Sequence, residues 1–136
     1  MFLEHANLTV RSLDRSIDFY RKTLDLTIRW RGQTAEGRPA AHIGDDRCYL
    51  ALFEGTCEDA APAIDYTRSG FNHLGFVVDD IEACKASLAA LGFRPHFEPD
   101  YVPGRRLYFM DPDGIEVELV QYDSPKEATS VRGEAS

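Results

Sequence analysis

Apolar positions along this chain switch between two spacings. Residues 3–10, Leu-Glu-His-Ala-Asn-Leu-Thr-Val, alternate as a strand does, which places His5, Asn7 and Thr9 on one face. From Leu13 the period lengthens: Leu13, Ile17, Tyr20 and Leu24 draw one apolar stripe down a helix, with Ser12 placed to cap it. Short runs rich in β-branched and aromatic residues follow at Leu26 to Gly32, Pro39 to Ile43 and Arg47 to Phe53, and turns such as Gly44-Asp45-Asp46 separate them. The stretch from Gly55 to Gly70 is rich in Ala, Pro and acidic residues and has no period, so it is expected to be a linker.

Beyond Gly70 the pattern restarts. Phe71 to Val78 reads as a strand carrying His73; Asp79 with Glu82 resembles a capping box; Ile81, Cys84, Leu88 and Leu91 form a second helical stripe, and Gly92 is placed to end it. Strands are expected at Phe93 to Phe97, Arg105 to Met110 and Ile115 to Gln121. The last two are joined by Asp111-Pro112-Asp113-Gly114, where Pro presets φ, Asp113 is expected to bond locally, and Gly114 takes the left-handed position; Tyr108 then faces Glu118. Each half is strand, helix and three strands, so the fold class is α+β: two tandem βαβββ modules, 1–54 and 71–122, flanking the linker 55–70, with a flexible tail over 123–136.

The repeat can be registered. With His5 on His73, Val10 falls on Val78 and Leu13 on Ile81; the helix-ending leucines lie 19 and 18 residues after the two histidines, so the second copy has lost one residue. With that offset Glu118 corresponds to Ala51. Glu118 stands between Val117 and Leu119 in a strand that reads as well buried, and a buried carboxylate needs a cation, a set of donors or a metal. Two histidines at matching positions plus one carboxylate are the components of a 2-His-1-carboxylate metal site. Taken singly, each histidine is more commonly a surface or satisfied core residue, and Glu118 could be an exposed position of a half-buried edge strand; the symmetric placement favours the site. A site with three protein ligands leaves coordination positions for water or substrate. Its donor set accepts Fe2+, Mn2+, Ni2+ or Zn2+.

Composition narrows the class of protein without naming a chemistry. With 136 residues, 43% of them apolar, the chain can bury one compact core. A net charge of −8 disfavours nucleic-acid and anionic-membrane partners. No apolar run approaches the roughly 20 residues that cross a bilayer, and the start lacks a basic-then-apolar signal pattern, so a cytoplasmic protein is expected. Cys48, Cys57 and Cys84 form no CxxC pair, which argues against a disulfide framework and a thiolate metal site.

The combination of His5 in a strand, Ser16-Ile17-Asp18-Phe19-Tyr20-Arg21-Lys22-Thr23-Leu24, Asn72-His73-Leu74-Gly75-Phe76-Val77-Val78, and Tyr108-Phe109-Met110-Asp111-Pro112-Asp113-Gly114 leading to Glu118-Leu119 resembles the vicinal oxygen chelate superfamily. That group includes glyoxalase I, fosfomycin-resistance proteins, extradiol dioxygenases and metal-free bleomycin-resistance proteins. The resemblance covers about residues 3–122. It implies an open, U-shaped β-barrel of paired modules around one divalent metal per site, in a homodimer whose modules can pair between chains.

It also implies His5, His73 and Glu118 as the metal ligands, with Ala51 at the fourth-ligand position that glyoxalase I fills with Glu. Alanine cannot coordinate, and its presence removes the carboxylate thought to serve glyoxalase I as a base. Tyr108 matches a tyrosine that lines the pocket of fosfomycin-resistance proteins, and Asn7 a pocket threonine. The polar loop of that branch falls on Asp100 to Arg106, where Val102 and Arg106 replace serines. Arg106 shares the face of Tyr108 and is a candidate for an anionic substrate group, unless it belongs to a solvated Arg105-Arg106 pair; Tyr49, on the face of Ala51, is a candidate pocket wall. Tyr108 and Glu116 are candidate catalytic groups, while His42 and His96 read as non-ligands, with His96, near the expected mouth of the site, as the nearer of the two to an exception. The expected function is a metal-dependent enzyme acting on a small vicinal-oxygen substrate, dioxygenase-like or thiol-transferase-like. The alternatives are a glyoxalase I-like lyase and a metal-free, ligand-sequestering binding protein.

Overall fold

The computed structural model describes residues 1–101 and 104–124. The chain forms β1 (His5–Val10), α1 (Leu13–Leu24), β2 (Thr27–Gln33), β3 (Pro39–Gly44) and β4 (Tyr49–Glu54), then β5 (His73–Val77), α2 (Ile81–Ala90), β6 (Asp100–Tyr101), β7 (Gly104–Met110) and β8 (Glu116–Tyr122). Two open four-stranded sheets result, ordered β1-β4-β3-β2 and β5-β8-β7-β6. In each, the first strand runs parallel to the last and the other pairs are antiparallel. The α+β class and the doubled βαβββ order are as the sequence predicts. No helix among the described residues is long and apolar enough to cross a membrane.

Two compact units correspond to this repeat: residues 1–63 together with Asp111–Gly114, and residues 64–110 together with those from Ile115 on. In the first, the stripe of α1 buries Leu13, Ile17 and Tyr20 with Val10, Ile43, Leu50 and Leu52 of the sheet. In the second, Ile81 and Leu88 of α2 are buried with Leu107, Phe109, Val117 and Leu119. Ser12 Oγ accepts from the Arg15 amide at 3.3 Å, as expected of the cap, and Asp25 ends α1 in the left-handed region. The N-cap of α2 is Asp80, one residue later than the Asp79–Glu82 pairing predicts, because it is the Asp80 carboxylate that reaches the Ala83 amide at 3.1 Å. Each sheet also caps its own helix. Glu54, at the end of β4, accepts from the Leu13 amide at 2.8 Å, and Gln121, near the end of β8, accepts from the Ile81 amide at 2.8 Å. These are matching repeat positions, and each bond satisfies a helix-terminal N–H that has no partner within its helix.

Strand pairing supports the registration. Asn7, two residues past His5, lies opposite Ala51, and Gly75, two residues past His73, lies opposite Glu118. Tyr108 faces Glu118 as expected, and His42 holds the matching place opposite Ala51. The segment Phe93 to Phe97 is not the predicted strand. Pro95 within it and Pro99 just beyond it lack donors, and its pairing with β7 is limited to a bridge of Phe97 to Tyr108 and a bond from the His96 amide to the Tyr108 carbonyl at 2.9 Å. The regular edge strand forms later, at Asp100–Tyr101.

The hairpin turn also differs from expectation. Gly114 takes φ +80 and its amide bonds the Asp111 carbonyl at 3.1 Å. The local side-chain bond, however, is made by Asp111, which accepts from the Asp113 amide at 2.8 Å. The Asp113 carboxylate, 3% exposed, turns to the first unit instead. It accepts from the Arg11 amide at 3.0 Å and Arg11 Nε at 2.9 Å, and from Arg15 Nη2 and Ser16 Oγ at 3.3 Å. Asp111 accepts in turn from the buried Tyr20 hydroxyl at 2.7 Å; burial, and then the Asp111 carboxylate beside it, push the Tyr20 phenol well up. A buried carboxylate takes the strongest donors available, and here those are guanidinium groups far away in sequence. The expectations for Val102 and for a flexible tail from 125 on lie outside the described residues.

Candidate active site

Alternation along β8 buries Val117 and Leu119 on the helix side and turns Glu116 and Glu118 to the opposite face. The same face receives His73 from β5 and Arg106 and Tyr108 from β7. His73 sits between two carboxylates: Nε2 lies 3.0 Å from Glu118 Oε2, and Nδ1 lies 3.4 Å from Glu116 Oε1. Tyr66 approaches from the linker. Its hydroxyl donates to Glu116 in a short bond, and its oxygen lies 3.0 Å from His73 Nδ1. The bond to Glu116, with burial, pushes the phenol up to about 12. His96 Nε2 reaches the other Glu116 oxygen at 2.9 Å. Arg106 Nε lies 3.2 Å from Glu118 Oε1, and Tyr108 stands edge-on to His73 with ring centroids 5.5 Å apart.

These contacts orient the imidazole. The single Tyr66 proton goes to Glu116, so toward His73 the Tyr66 oxygen is an acceptor and Nδ1 carries a hydrogen. Nε2 then faces a carboxylate oxygen at 3.0 Å, a pairing that calls for a proton or a cation between the two atoms.

On the first sheet, His5, Asn7 and Tyr49 share the face opposite the buried Leu8 and Val10. His5 Nδ1 lies 2.9 Å from Glu4 Oε1, and the Tyr49 hydroxyl donates to the same oxygen at 3.1 Å. His5 is the main cause holding the Glu4 carboxyl below its usual range, with Tyr49 second. His5 stacks on Tyr49 at 5.0 Å; Tyr49, His42 and Trp30 continue the row at 4.6 and 4.9 Å, and the Arg29 guanidinium lies 4.5 Å over Tyr49. Burial, then Arg29, holds the His42 imidazole below its ordinary range. The Asn7 amide donates to the Ala51 carbonyl at 2.8 Å, so it ties β1 to β4.

The second unit thus gathers His73, Glu118, Glu116, Tyr108 and Arg106, and the first gathers His5, Asn7 and Tyr49. Among the described residues, no three of His, Cys, Asp and Glu are clustered closely enough to hold a metal ion by themselves. Cys48, Cys57 and Cys84 are all free thiols. Sequence reasoning missed Tyr66, which lies in a segment without period, and set aside His96, which has no matching histidine in the first copy. The only signal for Tyr66 was an aromatic residue in an otherwise small and acidic stretch.

The profile of one family, described as the Glyoxalase/Bleomycin resistance protein/Dioxygenase superfamily, matches residues 2–119. The chain is 30% identical over 123 residues to a probable lactoylglutathione lyase of Vibrio cholerae, covering 86% of this chain and 88% of the relative. It is 27% identical over 119 residues to the glutathione transferase FosA of Serratia marcescens, covering 86% and 78%. Among solved structures, the glyoxylase/bleomycin resistance protein/dioxygenase domain of Frankia sp. EAN1pec aligns with a TM-score of 0.73 at 29% identity, over 90% of this chain and 98% of that one.

Proposed function

The chain belongs to the glyoxalase/bleomycin resistance protein/dioxygenase superfamily, and we propose that it is a divalent-metal-dependent enzyme in which His5, His73 and Glu118 hold the metal. The substrate is a small molecule with adjacent oxygens, and the working unit is a homodimer. The observation that carries this reading is His73 Nε2 facing Glu118 Oε2 at 3.0 Å, with Nδ1 turned to Tyr66 and Glu116. Metal-binding histidines characteristically give their other ring nitrogen to a carboxylate or a similar acceptor, which fixes tautomer and ring orientation. His5 has the same arrangement, with Nδ1 on Glu4. Both candidate imidazoles are therefore oriented with Nε2 as the donor atom, and the residues fit Fe2+, Mn2+, Ni2+ or Zn2+.

When bound, the metal would supply Lewis-acid polarisation of the substrate oxygens. The protein groups do the rest. Tyr108, edge-on to His73, walls the site, and Arg106 offers a positive charge to an anionic substrate. Glu116 has both oxygens engaged, by Tyr66 and His96, which supports a role in orienting His73 rather than that of a free base. Ala51 brings no donor to the matching place in the first unit, which favours a dioxygenase-like or thiol-transferase-like reaction over glyoxalase I chemistry. The identity to a probable lactoylglutathione lyase is the specific reason to test the lyase reading beside them.

The test begins with elemental analysis of protein purified without chelator, expected to show about one divalent metal per chain. A panel of catechol with Fe2+ and oxygen, fosfomycin with thiols, and methylglyoxal with glutathione then separates the branches. A protein that neither retains nor takes up metal, yet binds a ligand, would be a sequestering relative instead. Activity confined to methylglyoxal would show that Ala51 does not exclude lyase chemistry.

A consequence concerns the orienting groups. Tyr66→Phe and Glu116→Gln are each expected to weaken metal affinity roughly 10–100-fold, the range seen when outer-shell partners of a ligand are removed. Calorimetric titration with Zn2+ measures it. Affinity within twofold of the parent would remove both residues from the site.

A further inference from the structure

The two oxygens of Glu118 face different neighbours. Oε2 looks toward His73 on β5, where the cross-strand residue Gly75 has no side chain; a Cβ built there would stand 4.0 Å from that oxygen. Oε1 is closed off from β7 by Arg106, whose Nε is 3.2 Å away. Both partners are only 13% exposed, and the guanidinium carbon lies 6.0 Å from the Tyr122 ring centroid, so the pair is far less screened than a surface ion pair.

The repeat shows that this cation and this acid go together. Arg106 lies opposite Val120 as Ala40 lies opposite Phe53, and Glu118 lies opposite Gly75 as Ala51 lies opposite Asn7. The first copy therefore has alanine at both positions, and the second copy has the acid and its counter-ion at both. An arginine placed only to keep the sheet soluble has no reason to accompany the carboxylate in this way. A positive charge fixed on a metal-ligating carboxylate has two electrostatic effects of opposite sign. It repels a divalent cation, and it attracts an anion seated on that cation.

We propose that Arg106 sets the charge of the site: it lowers the affinity of the Glu118 centre for metal and makes the metal-loaded centre selective for ionised bidentate ligands, those whose adjacent oxygens carry negative charge. The proposal rests on the metal-site reading above and names its substrate class, an anion rather than a neutral diol or dicarbonyl. Arg106 acts here as a specificity-determining residue through its charge, so a lysine keeps most of the effect and a glutamine removes it.

The experiment is titration of the dimer or monomer as purified, first with Mn2+ and then, on the Mn2+-loaded protein, with oxalate, following the Mn2+ resonance and heat of binding. Arg106→Gln is expected to bind Mn2+ several-fold more tightly and oxalate roughly 10–100-fold more weakly, the scale of one unit charge about 6–12 Å away at an effective dielectric constant near 20. Arg106→Lys is expected to stay within about threefold of the parent on both measurements, since the charge survives at a similar reach. The opposed signs are the signature, because a merely structural arginine would weaken both bindings together. Parallel losses in Arg106→Gln, or unchanged oxalate affinity, overturn the proposal while leaving the metal site standing. If the parent protein takes up none of Mn2+, Fe2+, Ni2+ and Zn2+, the metal reading fails and takes this inference with it.

Discussion

Replacing His73 with alanine is expected to abolish metal uptake and, with it, turnover, while the protein stays folded. On the proposed reading His73 is a ligand, so its loss should exceed the roughly 10–100-fold expected for Tyr66 or Glu116, which act through it. Stability should change little. The side chain is 27% exposed, packs outside the apolar core beneath α2, and removing it leaves Glu118 still paired with Arg106. The measurement is metal content and affinity beside the thermal midpoint. Metal affinity equal to the parent's would sink the ligand assignment, whatever happened to activity. A midpoint lowered by about 10 °C would assign His73 to the fold instead, since on a chain of this size that shift corresponds to about 2–3 kcal/mol.

The second large effect falls far from that face. Asp113→Ala removes the acceptor shared by the Arg11 amide and side chain, Arg15 and Ser16. The carboxylate is nearly fully buried, whereas Arg11 and Arg15 are 31% and 47% exposed and can regain water. The expected cost is therefore about 2–4 kcal/mol, below the upper range for breaking a fully buried pair. Asp113→Asn, which keeps the shape and one acceptor oxygen but loses the charge, should cost less. Urea unfolding of both variants checks the order. A loss under about 1 kcal/mol for the alanine variant would mean that the turn is not anchored by this carboxylate.

Much of the fold was legible because the signals that specify it are local. The stripe Leu13, Ile17, Tyr20 and Leu24 needs only the helical period to declare itself, and the alternation in β8 needs only neighbours. Duplication extended this reach. It pairs Glu118 with Ala51 across the repeat, and cross-strand partners two residues past each histidine agree with that pairing. Phe93 to Phe97 departs from the strand that its aromatic content predicts because Pro95 within it and Pro99 beyond it lack the donors that pairing needs.

What local pattern cannot carry is the destination of a side chain that leaves its own element. Asp113 reads as a turn residue within its hairpin, but its partners are 97 to 102 residues away. Tyr66 sits in a segment that composition marks as a linker, yet its hydroxyl reaches both His73 Nδ1 and Glu116. His96 has no repeat counterpart, and only the return of the chain beside Tyr108 brings it to Glu116. The sequence by itself determined the α+β class, the doubled βαβββ order and the residue types available for chemistry, since period and repetition are properties of neighbouring positions. Only the tertiary structure decided which groups the two nitrogens of His73 face and which cation stands beside Glu118. Those depend on distances of about 3 Å between groups that the chain brings together only after it folds.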